Sequence, residues 1–320
     1  MLPHRSAALA AVRAALMLFL ISKVLASGEP LAAVAKRDCH ECGGVDIPYP
    51  FGVRSSGCAM APDYEVDCNE TSKGVYKPFV SRNVEVLKIS LQIGQARVMN
   101  HISSSCYNNI SQTMDPPDEW YLNLTGTAYR LSDSANKFTV IGCRTLAYIA
   151  DESYVGKYMS GCVSVCRRGD LRNAINGTCT GIGCCQTNIR TNLDYYQIVF
   201  EVGSLNTSGI YNMTPCSYAV LMDSSNFTFS TAYLTSTEFN TTYGGQAPLV
   251  LDWAIRTANS CEEAQKNFTS YACKANTFCL NSTNGPGYLC NCKKGYQGNP
   301  YLQGPNGCQA SDSASSASDF

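Results

Sequence analysis

The cysteines constrain this chain more than any other feature of its sequence. There are 18 of them in 320 residues, an even number far above the usual frequency. Twelve lie between Cys39 and Cys216 and six lie between Cys261 and Cys308, while residues 217–260 contain none. Because both groups are even, each can close its own disulfides. This division predicts a domain limit near residue 258 and an oxidising, extracellular environment.

The amino terminus favours export. Residues 1–26 combine a basic start, an apolar core at 14–21 and small residues up to Ala26, which predicts a signal peptide cleaved after that residue. The alternative is a membrane anchor, but the apolar run is shorter than the about 20 residues that span a bilayer. No later segment reaches transmembrane length. We therefore expect a secreted chain with a linker at 27–38 and a disordered tail at 310–320.

Ten Asn-x-Ser/Thr sequons predict a glycoprotein. Each marks its asparagine as a surface position, since an attached glycan is bulky and solubilising. Any binding surface is therefore expected where sequons are sparse. The asparagines are Asn69, Asn109, Asn123, Asn176, Asn206, Asn212, Asn226, Asn240, Asn267 and Asn281.

Charge and composition exclude two classes of protein. The net charge is −1, which leaves no general positive field for binding nucleic acid. Hydrophobic residues make up 45% of the chain, more than an intrinsically disordered protein carries. The charge is unevenly distributed, however, because residues 82–190 contain 11 Lys and Arg against 8 Asp and Glu.

Alternating apolar residues predict a mainly β fold. The clearest predicted strand is 84–93, followed by a partner at 96–102. Further predicted strands are 137–143, 195–202, 218–222 and 227–229, and short helices are predicted at 249–258 and 262–265. In the first strand the residues predicted to share one face are Glu85, Leu87, Ile89, Leu91 and Ile93.

Two close cysteine pairs carry specific expectations. Cys39-x-x-Cys42 could be a redox pair or half of a zinc site, but in an exported chain structural disulfides are favoured. Cys184 and Cys185 are adjacent, so their Cα atoms lie closer than a disulfide between them usually allows. We predict that they bond to two different partners.

An ordered set of motifs resembles the ectodomain of plant wall-associated receptor kinases. The opening, CGGVDIPYPFG at 42–52, is similar to the family's galacturonan-binding signature. The resemblance implies a domain at 39–148 and a cysteine-containing extension at 149–258. Arg190 departs from it, because the family usually has Pro there. Further motifs are YEVDCN at 64–69, VLKIS at 86–90, NKFTVIGC at 136–143, YMSGCVSVC at 158–166, GIGCCQTNI at 181–189 and GNPY at 298–301.

The last six cysteines resemble an epidermal-growth-factor-like module at 259–309. The resemblance implies the pairs Cys261–Cys279, Cys273–Cys290 and Cys292–Cys308. Calcium-binding modules of this kind have acidic residues before the first cysteine, but residues 257–260 (TANS) offer no carboxylate. We therefore expect no metal and no cofactor. The expected fold is a disulfide-rich β region followed by this small module.

The resemblance implies an extracellular protein that binds cell-wall pectin, either polygalacturonate or oligogalacturonides. Such a ligand carries a carboxylate on each sugar, so a binding surface needs Lys or Arg, together with aromatic faces for the rings. For each cation the competing interpretation is ordinary solvated charge, and for the aromatics it is packing. The candidate residues are Arg82, Lys88, Arg97, Arg144, Arg167, Arg168, Arg172, Tyr49 and Phe51.

Two other functions remain open at this point. One is a receptor or decoy for a secreted protein or peptide, or a partner of a full-length receptor. The other is a glycoside-acting enzyme using Asp115, Asp118 and Glu119, although three acids split by two prolines resemble an exposed loop more than a catalytic pair. The sequence shows no transmembrane helix and no kinase motif, so we expect no catalysis. The expected location is the apoplast and cell wall, or the plasma membrane if a longer form carries a transmembrane helix.

Overall fold

A computed structural model describes residues 39–54, 56–81, 84–118, 120–152, 158–167, 170–201, 213–225 and 227–311. The predicted signal peptide, the linker at 27–38 and the tail beyond residue 311 lie outside the described residues. So do the candidate residues Arg82 and Arg168, the acidic Glu119, and the sequons at Asn206, Asn212 and Asn226.

The predicted mainly β fold is confirmed. The helices are short: α1 (Ala232–Thr235), α2 (Glu238–Tyr243) and α3 (Cys261–Ala264), with 3-10 turns at Pro62–Tyr64 and Gly304–Asn306. The strands are β1 (Glu41–Cys42), β2 (Val45–Asp46), β3 (Gly52–Val53), β4 (Glu65–Ser72), β5 (Val75–Val80), β6 (Val84–Ser90), β7 (Gln95–His101), β8 (Ser103–Asn108), β9 (Thr113–Met114), β10 (Trp120–Asn123), β11 (Tyr129–Leu131), β12 (Asn136–Ile141), β13 (Thr145–Ala150), β14 (Met159–Ser164), β15 (Cys184–Asn188), β16 (Tyr195–Phe200), β17 (Cys216–Asp223), β18 (Gln246–Trp253), β19 (Thr277–Asn281), β20 (Tyr288–Cys292), β21 (Tyr296–Gln297) and β22 (Gln309–Ala310).

Three larger sheets and three two-stranded ribbons hold these strands. The orders are β11-β18-β7-β6-β5-β4-β3, β15-β12-β17-β8-β9 and β10-β16-β13-β14. All the pairings are antiparallel except β3 with β4. The helix predicted at 249–258 was wrong, because this segment enters strand β18 and pairs with β7. The strand predicted at 227–229 was also wrong, since the structure has an irregular segment there.

An irregularity in β6 changes which residues face the core. Val86 pairs with Val98, but the next pair is Lys88 with Arg97, so Leu87 is an extra residue on one side of the ladder. Such a β-bulge breaks the two-residue alternation of the strand. Side chains on the two sides of the bulge therefore follow different phases.

The bulge overturns the face predicted for this strand. Val84, Val86 and Ile89 are buried, whereas Leu87 and Ile93 are exposed. Simple alternation through residues 85–93 placed Leu87 and Ile93 on the same face as Ile89. For Leu87 the error arises because periodicity assumes a regular ladder, which the extra residue interrupts. Ile93 is exposed for a different reason, because β6 ends at Ser90 and Ile93 lies in the turn that follows.

All 18 cysteines form disulfides, and none links the first twelve to the last six. Cys184 and Cys185 bond to different partners, as predicted. Cys39 and Cys42 likewise bond to separate partners rather than to each other. The pairs are Cys39–Cys58, Cys42–Cys68, Cys106–Cys216, Cys143–Cys166, Cys162–Cys185, Cys179–Cys184, Cys261–Cys279, Cys273–Cys290 and Cys292–Cys308.

The larger hydrophobic core extends across the limits that the sequence suggested. Strand β13 contains residues on both sides of the 148/149 limit, and the seven-stranded sheet pairs β18 with β7 and β11. Tyr288, Cys290 and Tyr301 of the terminal module belong to the same core as Trp253 of β18. Segments distant in sequence therefore share one buried interior.

The terminal module is fastened to the sheet by polar contacts as well. The Asn284 side-chain amide donates to the Leu131 carbonyl oxygen over 2.9 Å and to Asp252 Oδ2 over 2.8 Å. Ile255 and Tyr288 exchange two main-chain hydrogen bonds of 2.8 and 3.0 Å. Buried polar groups paired in this way hold one arrangement, because breaking a pair leaves an unsatisfied atom.

Candidate functional site

Three cations lie on the outer face of strands β5, β6 and β7. We call Lys77, Lys88 and Arg97 the basic strand face. Lys88 and Arg97 are direct partners in the ladder, and Lys77 Nζ lies 2.8 Å from an oxygen of Glu85 on the neighbouring strand. Adjacent strands are about 4.8 Å apart, so the three charges lie within reach of one extended ligand.

The three cations of this face differ in whether an acidic side chain of the protein already pairs with them. Arg97 Nη2 lies 2.6 Å from Asp223 Oδ2, and the Asp223 side chain is only 2% exposed. The other Asp223 oxygen accepts hydrogen bonds from Ser225, from its main-chain N–H and its hydroxyl. Lys88 is exposed and forms no ion pair with any described residue. Arg97 thus neutralises a buried carboxylate, and Lys88 is the cation presented to solvent.

A disulfide joins the main chain just before two of the candidate cations, Arg144 and Arg167. Cys143 and Cys166 are bonded with Cα atoms 5.0 Å apart, which brings the following residues, Arg144 and Arg167, into one region. Arg144 is half-buried and Arg167 is exposed. The disulfide therefore places the two chain segments that carry these candidate cations next to each other.

Arg172 is held by an acidic neighbour. Its guanidinium donates to both carboxylate oxygens of Asp170, over 2.9 and 3.0 Å. Hydrogen bonds from Arg172 lower the pKa of Asp170 to about 2, so the carboxylate stays ionised down to acidic pH. A ligand carboxylate would have to compete with Asp170 for this guanidinium.

The two candidate aromatics occupy different environments. Phe51 is fully buried, with its ring centroid 4.9 Å from that of Trp253 and 5.6 Å from that of Tyr64. Its prediction as a sugar-stacking residue is therefore corrected, because the ring belongs to the core. Tyr49 is half-buried, and burial raises the pKa of its hydroxyl. The main-chain carbonyl of Tyr49 accepts a hydrogen bond from Asn299.

The acidic segment before β10 is engaged in local contacts. Asp118 contacts His101 Nε2 and accepts a hydrogen bond of 2.6 Å from the Ser104 main-chain N–H. Burial raises the pKa of Asp118, but these hydrogen bonds outweigh it and leave the pKa below its usual value. Asp115 accepts a hydrogen bond from the Asn108 side chain over 3.1 Å. Within the described residues, no group of His, Cys, Asp and Glu is arranged to hold a metal ion.

Lys77, a member of the basic strand face, is not among the binding residues predicted from the sequence. A signal for it existed in the short strand β5, where the half-buried Lys77 and Phe79 alternate with the buried Pro78 and Val80. Register decides its position, since β5 pairs with β6 through Phe79 opposite Glu85. Without that register the sequence does not place Lys77 beside Lys88 and Arg97.

Comparison with known proteins shows where this face belongs. Residues 37–100 match the family model described as wall-associated receptor kinase galacturonan-binding. The predicted resemblance to wall-associated receptor kinases is confirmed. The basic strand face, including the exposed Lys88, lies wholly inside the matched residues.

The similarity extends over most of the chain. This chain is 33% identical over 298 residues to wall-associated receptor kinase 5 of Arabidopsis thaliana, and the alignment covers 92% of this chain and 37% of that protein. It is 34% identical over 291 residues to wall-associated receptor kinase 2 of the same plant, covering 89% and 35%. The chain thus spans about a third of the length of these relatives.

No solved structure was found to match this chain. Among the residues that the structure describes, no helix has the length and apolar composition needed to cross a membrane.

Proposed function

We propose that this chain is a receptor-like ectodomain of the plant cell wall that binds galacturonate polymers on the basic strand face. The observation that carries the proposal is the galacturonan-binding match over residues 37–100, which includes Lys77, Lys88 and Arg97. A wall or extracellular location accords with the relatives and with the nine disulfides.

Electrostatics assigns different roles to the three cations. Lys88 has no acidic partner among the described residues, so it can meet a ligand carboxylate without first breaking an ion pair. Lys77 must be shared with Glu85 and lies opposite the sequon asparagine Asn69 across β4 and β5, and Arg97 must be shared with Asp223. Lys88 therefore supplies the primary contact, while Glu85 opposes binding by its charge and by holding Lys77.

Two variants of opposite sign test this assignment. Lys88→Glu should lower the affinity for polygalacturonate by more than about tenfold, because losing a contact of about 1.4 kcal/mol alone accounts for tenfold and the new carboxylate adds repulsion. Glu85→Gln should raise the affinity, because it frees Lys77 and removes a negative charge. Binding of the full chain to immobilised polygalacturonate at several salt concentrations is the measurement. Affinity should fall as salt rises, since exposed charges are screened.

Lys266→Glu is the matched control, since Lys266 is an exposed lysine of the terminal module and its reversal gives the same net charge. Equal losses in Lys88→Glu and Lys266→Glu would indicate a general charge effect and contradict the assignment to this face. Affinity that ignores salt would contradict the electrostatic proposal altogether.

The proposal assigns binding and no catalysis to this chain. Asp115 and Asp118 both accept hydrogen bonds from neighbouring groups, and we infer that they order the segment before β10. Incubation with oligogalacturonides should therefore release no new reducing ends. Their appearance would favour the alternative of a glycoside-acting enzyme.

A further inference from the structure

The sheet β10-β16-β13-β14 differs from the rest of the chain in charge. Its four strands contain no Asp, Glu, Lys, Arg or His, although 15% of the whole sequence is charged. We call it the uncharged sheet. One face packs into the core through residues such as Leu122, Tyr196 and Ile149. The opposite face would be expected to be polar, because antiparallel sheets with one solvated face usually alternate in this way.

Apart from Gln197 and Asn123, the outer face is instead aromatic and apolar. Tyr121 is 62% exposed and Met159 is 59% exposed, and Val163 also lies open to solvent. Tyr121 and Tyr195 stack with ring centroids 6.1 Å apart and planes 25° from parallel. An exposed apolar surface of this kind indicates an occupant. Because the strands carry no cation, the occupant is an uncharged one rather than galacturonate.

The register places a sequon asparagine inside this face. Asn123 pairs directly with Tyr195 across β10 and β16, and Tyr121 precedes it by two residues on the same side of β10. Directly paired residues have Cβ atoms about 5 Å apart, and same-face neighbours along a strand lie about 6.7 Å apart. A sugar attached to Asn123 therefore begins directly beside both stacked rings.

The Asn123 side chain is held in the folded chain through its oxygen atom. Its Oδ1 accepts a hydrogen bond of 2.9 Å from the main-chain N–H of Thr125, the third residue of the sequon. Its Nδ2, the atom that would carry a glycan, makes no hydrogen bond with the described residues, and both Asn123 and Thr125 are exposed.

We propose that the Tyr121–Tyr195 surface is covered by a neutral glycan attached to Asn123 of the same chain. Attachment forms a bond between Asn123 Nδ2 and the anomeric carbon of the sugar. The amide loses a proton, and the diphosphate of a lipid-linked oligosaccharide donor leaves. The first sugars then lie on the tyrosine rings, whose broad apolar faces suit the C–H faces of a pyranose. The covalent tether gives this glycan a high effective concentration over any free saccharide.

The other described sequons on strands lack this arrangement. Asn69 is opposite Lys77 in the β4–β5 ladder, and Asn281 is opposite Tyr288, which is fully buried. Asn69 therefore provides a matched control, since Asn69→Gln removes a predicted glycan from a strand without exposed stacked rings.

The test uses the full chain secreted from a eukaryotic host that attaches N-linked glycans. Mass spectrometry should show Asn123 occupied. Oxidative labelling of Tyr121 and Tyr195 should become severalfold faster in Thr125→Ala and in Asn123→Gln, which remove the sequon in two different ways. Thr125→Ser, which keeps the sequon, and Asn69→Gln should leave the labelling unchanged.

Thermal unfolding provides a second measurement. Loss of the glycan should lower the midpoint by about 2–4 °C when Tyr121 is present. The shift should disappear in Tyr121→Ala, because the glycan then has no stacked pair to cover. Equal shifts in the two backgrounds would contradict the contact between glycan and ring.

A third experiment tests whether a free wall polysaccharide, rather than the attached glycan, covers the Tyr121–Tyr195 surface. Cellohexaose serves as the neutral probe. It should bind weakly or not at all to the glycosylated protein, and any binding should increase when the sequon is removed. The proposal is overturned if Asn123 is unoccupied, if labelling is equal with and without the sequon, or if the glycosylated protein binds cellohexaose through Tyr121.

Discussion

Asn299 donates a hydrogen bond from its side-chain amide to the main-chain carbonyl oxygen of Tyr49 over 2.6 Å, although the two residues are 250 positions apart. Two residues later Tyr301 is buried with its ring centroid 5.8 Å from that of Trp253. The Tyr301 hydroxyl accepts a hydrogen bond from the Cys290 main-chain N–H. The motif at 298–301 therefore joins the terminal module to the opening motif and to the central sheet.

This junction predicts that the terminal module and the sheet unfold together. Tyr301→Ala should reduce the free energy of unfolding by about 3–5 kcal/mol, because a large ring is removed from a shared core. Urea unfolding of the oxidised protein, followed by tryptophan fluorescence, should show a single transition at lower urea. Tyr296→Ala is the control, since Tyr296 lies in the same module but is 37% exposed. Its effect should stay within about 0.5 kcal/mol. Equal effects would contradict the junction.

The turn between β1 and β2 consists of two adjacent glycines that differ in the space around them. Gly43 and Gly44 both have positive φ, at 59° and 83°, as a two-residue hairpin turn requires. A Cβ at Gly43 would overlap the carbonyl oxygen of Tyr76, whereas a Cβ at Gly44 meets nothing within 4 Å. Gly44→Ala should therefore cost about 1–2 kcal/mol for its left-handed backbone alone, and Gly43→Ala should cost distinctly more. Equal midpoints in denaturant would show that the Tyr76 contact yields freely.

Substitutions of Lys88 and Arg97, which are direct partners across β6 and β7, should change the free energy of unfolding by different amounts. Arg97→Met should reduce the free energy of unfolding by about 1–3 kcal/mol, because the buried Asp223 loses its cation. Lys88→Met, the same kind of change at an exposed site, should stay within about 0.5 kcal/mol. Adding Asp223→Asn to Arg97→Met should recover part of the loss. No recovery would contradict the role of Arg97 in neutralising Asp223.

The Asp170–Arg172 pair makes a prediction about pH. The pKa of Asp170 is about 2 in the folded chain, lowered by hydrogen bonds from Arg172, against about 3.9 for an ordinary Asp. The pair therefore stabilises the folded state at pH values above the ordinary pKa of Asp. This stabilisation is lost as the pH falls towards 2. Arg172→Gln should raise the pKa of Asp170 towards the ordinary value in an NMR titration. Arg190→Gln should leave it unchanged, because Arg190 instead lies over the Tyr158 ring. An unchanged pKa in Arg172→Gln would contradict the assignment.

Local sequence signals predicted the strands well and their faces less well. The strand predicted at 195–202 corresponds to β16, and the one at 137–143 to β12, because β-branched and aromatic residues alternate there. The bulge at Leu87 was invisible, since a bulge depends on how two strands pair rather than on either strand alone. For the same reason the sequence could not place Phe51, which lies within the opening motif at 42–52 yet fills the core beside Trp253.

By itself the sequence determined the disulfide-rich β class, the separation of twelve cysteines from six, and the resemblance to wall-associated receptor kinases. These depend on residue types, counts and spacings along one chain. Only the tertiary structure decided that Arg97 is paired with Asp223, that Lys88 faces solvent, and that Asn123 lies beside Tyr195. Each of these depends on strand register and sheet packing, and contacts between residues far apart in sequence leave no periodic signal along the chain.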